Sequence, residues 1–425
     1  MPVIDRLTAR EILDSRGRPT VEATCYLREG AEATASVPSG ASTGMAEAVE
    51  LRDGDPRRYG GLGCRQAAAN VNGAISDAVS GREFAGQAGF DAAVAALDGT
   101  PDKSRLGANA TLAASLGFAR ACANLSGRPL WRYFADVAGA QPTALPRLTI
   151  NLFSGGKHAG QQVAIQDVLI VPAAARTIDE ALAVAYDVYY AAARLILDRY
   201  GMRLLRADEG GMAPPCGTPE EMIETALDSI RAAGYAPGGE VSLALDVAAS
   251  HFHSSAGYRL GDELLSSGRM IERIRRWVEA YPLVSVEDGL AEDDWESWPE
   301  LCRSVGDRAL VVGDDLLCTN PERIRRAVSE RSCNALLLKV NQIGTLTEAL
   351  EAYRLARAAG WDVTISVRSG ETEDHWAADL AVGWSGDQFK NGSITQSERL
   401  AKYNRLLAIE QEVRLPVTAW PRRLR

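Results

Sequence analysis

The rhythm of apolar and polar positions changes near residue 147. From Leu148 onward, short continuous apolar runs alternate with longer stretches of helical spacing. The runs are LTIN (148–151), DVLIVP (167–172), LLRADE (204–209), SLALDV (242–247), LVSVED (283–288), ALVVGDD (309–315), ALLLKV (335–340) and DVTISVRS (362–369). Runs of this length, without polar alternation, predict strands covered on both faces, as in a parallel sheet. The helices between them have marked ends. Thr177 with Glu180 and Thr345 with Glu348 have capping-box spacing. Thr218-Pro219 and Asn320-Pro321 put a cap residue before a proline suited to the first helical position. Gly201 and Gly360 stand where helices should end. About eight strands over roughly 280 residues predict an α/β fold, a closed (β/α)8 barrel with some irregularity near its start. A doubly wound open sheet is the alternative.

The first 135 residues read differently, as a smaller α+β domain. Val21–Leu27 and Thr34–Val37 have strand character, and a Gly/Ser-rich loop, PSGASTG (38–44), follows them. Helical spacing runs over 64–80 and 109–125. The stretch 134–146 is rich in Ala, Gly and Pro with little periodicity. It separates a capping domain, 1–135, from a barrel domain, 143–425.

Composition narrows the class. A chain of 425 residues, 46% hydrophobic and 24% charged, has room for two domains and an ordinary globular core. No apolar run reaches the ~18 residues of a membrane helix, and the N-terminus lacks the apolar segment of a signal peptide. The seven cysteines are scattered, with no CxxC pair. These features predict a cytoplasmic protein with reduced thiols. A net charge of −10 argues against nucleic acid and against an anionic membrane surface. A small anionic partner remains open, provided that local cations or a metal receive it.

The chemistry gathers at strand ends. Five of the expected strands finish in ionisable residues: Glu209, Asp246, Glu287 with Asp288, Asp314 with Asp315, and Lys339. The last carries Arg368-Ser369. In a parallel barrel all C-terminal strand ends converge on one face. Taken singly, Lys339 is best read as a lysine snorkelling to water, and each acid as a helix cap. Together, three acids on consecutive strands followed by a lysine strand favour a site for a hard divalent cation such as Mg²⁺ beside a proton-abstracting base. That equipment suits removal of a proton next to a carboxylate.

Along nearly its whole length the chain resembles the enolase family. The matching stretches include ILDSRGRPTVE (12–22), VPSGASTG (37–44), LDGTPDKSRLGANA (97–110), SGGKHAG (154–160), ADEGGMAP (207–214), EDGLAEDDW (287–295), LLLKVNQIGT (336–345), RSGETED (368–374) and SERLAKYN (397–404). The resemblance implies an N-terminal α+β capping domain and an enolase-type barrel with its site at the strand C-terminal ends. It implies that Lys339 removes the α-proton and Glu209 protonates the departing hydroxide. It assigns Asp246, Glu287 and Asp314 to a first Mg²⁺. A second Mg²⁺ arrives with substrate and is held in part by Ser42. Arg368 and Ser369 resemble the phosphate anchor, Lys390 the lysine facing the substrate carboxylate, and His158 the histidine of a second mobile loop. A homodimer or higher homo-oligomer is implied in the same way.

Several positions depart from the family. Val367 stands where a histidine precedes the arginine, and Asp167 replaces a glutamate that pairs with the general acid. His251 replaces an acidic residue, Gly289 a proline, Leu62 a lysine, and NGSI (391–394) follows Lys390; His253 and His375 are also unusual. Loss of a hydrogen-bonding histidine beside the anion anchor favours a paralogue whose substrate differs at the phosphoryl end, phosphorylated or phosphonylated. The carboxyphosphonoenolpyruvate synthase-like lyases of phosphinate natural-product biosynthesis are such a family. Ordinary conversion of 2-phosphoglycerate is the alternative. An inactive binding protein would have lost the base or the metal ligands, and none is lost.

Overall fold

A computed structural model describes residues 1–41, 43–201 and 205–419. Strands β1 (Ile4–Leu13), β2 (Pro19–Leu27) and β3 (Glu32–Ser36) form an antiparallel sheet in sequence order. Helices α1 (Arg65–Asn70) and α2 (Ser76–Val79) are joined by a π-helical stretch, Val71–Ile75, and α3 (Gln87–Asp98), α4 (Ala108–Leu125) and α5 (Leu130–Ala138) follow. Alanine-rich α4 is buried along nearly its whole length. It lies so close to the sheet that a Cβ on Gly117 would sit 3.4 Å from the Ala23 carbonyl oxygen. Three elements of this domain escaped the sequence reading: β1, α3 and α5. Helix α5 covers the first part of the stretch taken as aperiodic.

Eight strands close the barrel: β4 (Arg147–Ser154), β5 (Asp167–Pro172), β6 (Val241–Asp246), β10 (Leu283–Glu287), β11 (Leu310–Gly313), β12 (Ala335–Leu338), β13 (Asp362–Ser366) and β14 (Gln388–Lys390). A small sheet of β7 (His253–Ser254), β8 (Gly257–Leu260) and β9 (Glu263–Leu265) is inserted after β6. Helices α6 (Ile178–Tyr200), α7 (Pro219–Ala232), α8 (Ser267–Ala280), α9 (Trp298–Val305), α10 (Pro321–Glu330), α11 (Leu346–Ala358), α12 (Trp376–Gly383) and α13 (Ser397–Val413) lie between and after the strands. The closed barrel excludes the open sheet. Seven strand residues, among them Leu169, Val171, Ala244, Leu310 and Leu337, form their own apolar cluster apart from the main core.

Two features correct the expected strand list. Residues 205–209 of LLRADE form no strand, only an isolated bridge from Arg206 to Met212; residue 204 lies outside the described residues. The eighth stave is instead β14, whose three residues QFK are too short to announce a period. The irregularity near the start is that β5 runs antiparallel to both neighbours, β4 and β6, while the other pairs are parallel. Asp167, at the start of β5, therefore lies beside Asp246, at the end of β6.

The expected caps are in place. Thr177, Thr218, Thr345 and Asn320 each accept a backbone N–H from the first turn of their helix. Helix α11 is also capped from the other domain. Leu346 N donates to Ser115 Oγ at 3.2 Å and Thr347 N to Asp91 Oδ2 at 2.9 Å, while Thr111 Oγ1 donates to the Gly344 carbonyl at 2.8 Å. The N-terminal domain thus satisfies the orphan donors of the helix that follows Lys339. No helix among the described residues is long and apolar enough to cross a membrane.

Candidate active site

The parallel strands deliver their C-terminal ends to one face, and a small cavity of about 20 Å³ lies there. Lys339 and Asp246 line it from below, Glu209 and His158 from the loops, and Arg368 and Lys390 from the last strands. Val367 and Ser369 complete the anion side, with Ala41 from the N-terminal loop. Ser42 lies outside the described residues.

Lys339 directly follows β12, with its side chain on the Asp314 carboxylate. It does not snorkel: the side chain is 12% exposed. Burial alone would lower its pKa, but Asp314 outweighs burial and raises it. The lysine is therefore an ammonium in this state. Gln342 Nε2 donates to the other Asp314 oxygen at 2.9 Å.

The three acids expected to hold a metal sit on adjacent staves. Lys390 Nζ donates to Asp246 at 2.8 Å and to both oxygens of Glu287 at 2.8 and 2.7 Å. Asp246, Glu287 and Asp314 do not form one group with ligand atoms within 4.8 Å; Asp314 groups instead with Asp288 and Asp315. Burial and the facing charges of Asp246 and Asp314 push the Glu287 carboxyl well above the usual range. Asp246 is buried too, yet the Lys390 ammonium holds it down to about 2. An all-oxygen donor set that draws two ammonium groups onto itself has the chemistry of a hard-cation site, so these residues fit Mg²⁺. Asp288 is a turn clamp: its two oxygens accept the backbone N–H groups of Asp314 and Asp315 at 3.0 and 2.7 Å.

A second cluster joins His158, Asp167 and Glu209. Asp167 accepts from Asn151 Nδ2 and Ser154 Oγ, both at 2.8 Å, and pairs with His158 Nδ1 at 3.0 Å. Its direct partner is thus His158 rather than the general acid. Burial alone would depress His158, but Asp167 and Glu209 raise it to about 9. Glu209 is buried, which opposes ionisation, but the His158, Arg399 and lysine charges leave its pKa lowered.

The anion side is built in layers. Ser369 Oγ accepts from the backbone N–H of Ala41 and from Arg16, both at 3.1 Å. Fully buried Arg399 donates to the carbonyls of Arg368 and Ser369 at 2.9 and 2.8 Å. Gly40 packs on Arg368 so closely that any Cβ there would overlap the guanidinium. Val367, 7% exposed, presents an apolar wall between Ser366 and Arg368.

Sequence reasoning missed Gln166. Its Nε2 donates to Asp246 at 3.1 Å, and its buried Oε1 has no partner among the described residues. Only its position beside Asp167 could have revealed it. The other histidines have local roles. His253 stacks on Tyr258 with ring centroids 4.4 Å apart, and His375 precedes α12 and meets Asp379 at 3.2 Å. Burial pushes His251 down to about 4.

Comparison with known proteins agrees with this geometry. Residues 4–134 match the family model for the enolase N-terminal domain, and residues 142–418 that for the enolase C-terminal TIM barrel domain. The chain is 48% identical over 415 residues to "Enolase 1" of Methylococcus capsulatus, covering 96% of this chain and 97% of that protein. The altered phosphoryl-end substrate expected from Val367 gains no support from these likenesses. The ordinary alternative fits them better.

Proposed function

Because the chain belongs to the enolase family of carbon–oxygen hydro-lyases, we propose that it dehydrates 2-phosphoglycerate to phosphoenolpyruvate with Mg²⁺ in its site. One observation carries the reading: a buried lysine, a buried glutamate and a buried arginine–serine pair line the same small cavity.

Lys339 is the base for the α-proton. It must first give up the proton it holds on Asp314, and burial together with the Arg368 and Lys390 charges pushes that way. Arg368 and Ser369 anchor the phosphoryl group, and Lys390 faces the carboxylate. Asp246, Glu287 and Asp314 would hold a first Mg²⁺, and Ser42 would help hold a second that comes with substrate. Bound there, the ions would supply positive charge to the carboxylate oxygens. Glu209 protonates the leaving hydroxyl, which departs as water as the C–O bond breaks. His158, imidazolium beside Glu209, keeps a proton within the cluster for that step. We take the assembly to be a homodimer and the compartment to be the cytoplasm, on the family resemblance and on cysteines that are all free thiols among the described residues.

The test is turnover of 2-phosphoglycerate with and without Mg²⁺, followed by the ultraviolet absorbance of the enol product. Metal-dependent formation of phosphoenolpyruvate at ordinary enolase rates is expected. No turnover by the metal-loaded protein would overturn the substrate assignment and return Val367 to the role of a specificity change.

A further inference from the structure

The side chains of Arg368 and Glu47 are 2% and 7% exposed and face each other through two parallel bonds. Arg368 Nη1 donates to Glu47 Oε2 at 2.8 Å, and Nη2 to Oε1 at 3.1 Å. Asn341 Oδ1 accepts a further bond from Nη1 at 3.2 Å. Glu47 lies three residues past the Gly/Ser-rich loop and also accepts the backbone N–H of Gly44 at 3.0 Å. Arg368 lines the cavity, whereas Glu47 does not. The carboxylate therefore stands behind the guanidinium as seen by a ligand.

A buried ion pair adds little net stability, but removing one partner strands an uncompensated charge. Behind a ligand site this has a chemical consequence: a full negative charge close to the pocket opposes every anion that enters.

We propose that Glu47 is a built-in counter-anion that sets how tightly the pocket holds anions, tempering the pull of Arg368 so that phosphorylated ligands bind and leave. This rests on the reading of Arg368 as the anion anchor. The two bonds also fix which edge of the guanidinium faces the cavity, which makes Glu47 a positioning residue. The two effects oppose each other when Glu47 is neutralised. The Coulomb effect of a full charge on a dianion inside the protein outweighs the loss of one hydrogen bond, so neutralisation tightens anion binding.

The experiment titrates inorganic phosphate into the wild-type protein, Glu47→Gln, Glu47→Asp and Arg368→Ala, with calorimetry and thermal melting as readouts. Glu47→Gln should bind phosphate roughly tenfold more tightly than wild type, a change of one pK-sized step in affinity. Its melting temperature should be lowered without phosphate and recover with it. Glu47→Asp keeps the charge and should bind within about twofold of wild type. In turnover assays Glu47→Gln should lower KM. Equal or weaker phosphate binding by Glu47→Gln overturns the proposal while leaving the anchor intact. Phosphate binding that survives in Arg368→Ala overturns the anchor itself. If Glu47→Gln fails to fold, Glu47→Ala, which removes the charge without adding an amide, is held to the same criterion. A merely structural role for Glu47 would lower the melting temperature without phosphate rescue and leave KM unmoved.

Discussion

Replacing Asp167 by Asn should return the His158 imidazole to an ordinary or lower pKa. In the native protein His158 is buried, and burial alone would favour the neutral ring. Asp167 at 3.0 Å, with Glu209 beyond it, overturns this and raises the pKa from 6.5 to about 9. At about 1.36 kcal/mol per pKa unit, the rise favours the imidazolium by roughly 3 kcal/mol. The folded pKa exceeds the unfolded one, so this stability is fully present below pH 6.5 and is lost as pH climbs through about 9. Asp167→Asn keeps the side-chain shape and the bond from Ser154, but it removes the charge. The chain has four histidines, so a carbon–proton NMR titration of ring signals resolves them. His251, which burial holds near 4, titrates well apart from it. In wild type one signal should titrate near pH 9. In Asp167→Asn that signal should move to 6.5 or below, and denaturant melts should lose their slope over the same interval. A mutant signal that still titrates near 9 would refute the assignment of Asp167 as the cause. The absence of any wild-type signal titrating near 9 would refute the buried ion pair.

Two further outcomes test other parts of the structure. Lys339→Ala should abolish turnover and also exchange of the substrate α-proton with deuterated solvent; exchange at the wild-type rate would move the base elsewhere. Asp91, which caps α11 across the domain boundary, is raised by burial from 3.8 to about 6, despite the bonds from Thr347, Ser115 and Gln87. A carboxyl raised on folding stabilises the protein below pH 3.8, and that contribution fades as pH rises through about 6, a change of roughly 3 kcal/mol. Asp91→Asn should flatten stability over that window in pH-dependent urea melts. An unchanged slope would remove Asp91 as its source.

Much of the barrel was legible because its parallel strands are buried on both faces and write themselves as unbroken apolar runs. ALLLK and SLALD announce both a strand and the charged residue that ends it. The exceptions have physical reasons. QFK is a stave only because it pairs with β13 and β4, which three residues cannot advertise. LLRADE has strand composition, yet Glu209 reaches the cavity from a loop. In the site, the acids and Lys339 were legible from strand-end convergence. The partners of Asp167 were not, because Asn151 and Ser154 sit on a neighbouring strand and His158 on the loop that precedes β5. Glu47 was not singled out, because its carboxylate meets Arg368 only across the boundary between the two domains.

The reversed direction of β5 has a mechanical consequence. In a regular barrel each loop at the catalytic mouth leaves for an outer helix, so loop movement must be shared with that helix. Here the chain climbs β4, crosses the mouth over residues 155–166 and descends β5 without leaving the face. This segment, which carries His158 and Gln166, is a handle fixed at both ends to adjacent staves. Its course owes nothing to the helical layer, and His158 and Gln166 tie it to the wall through Asp167 and Asp246. The length and composition of the rest of that handle can thus vary without any change in the helical layer.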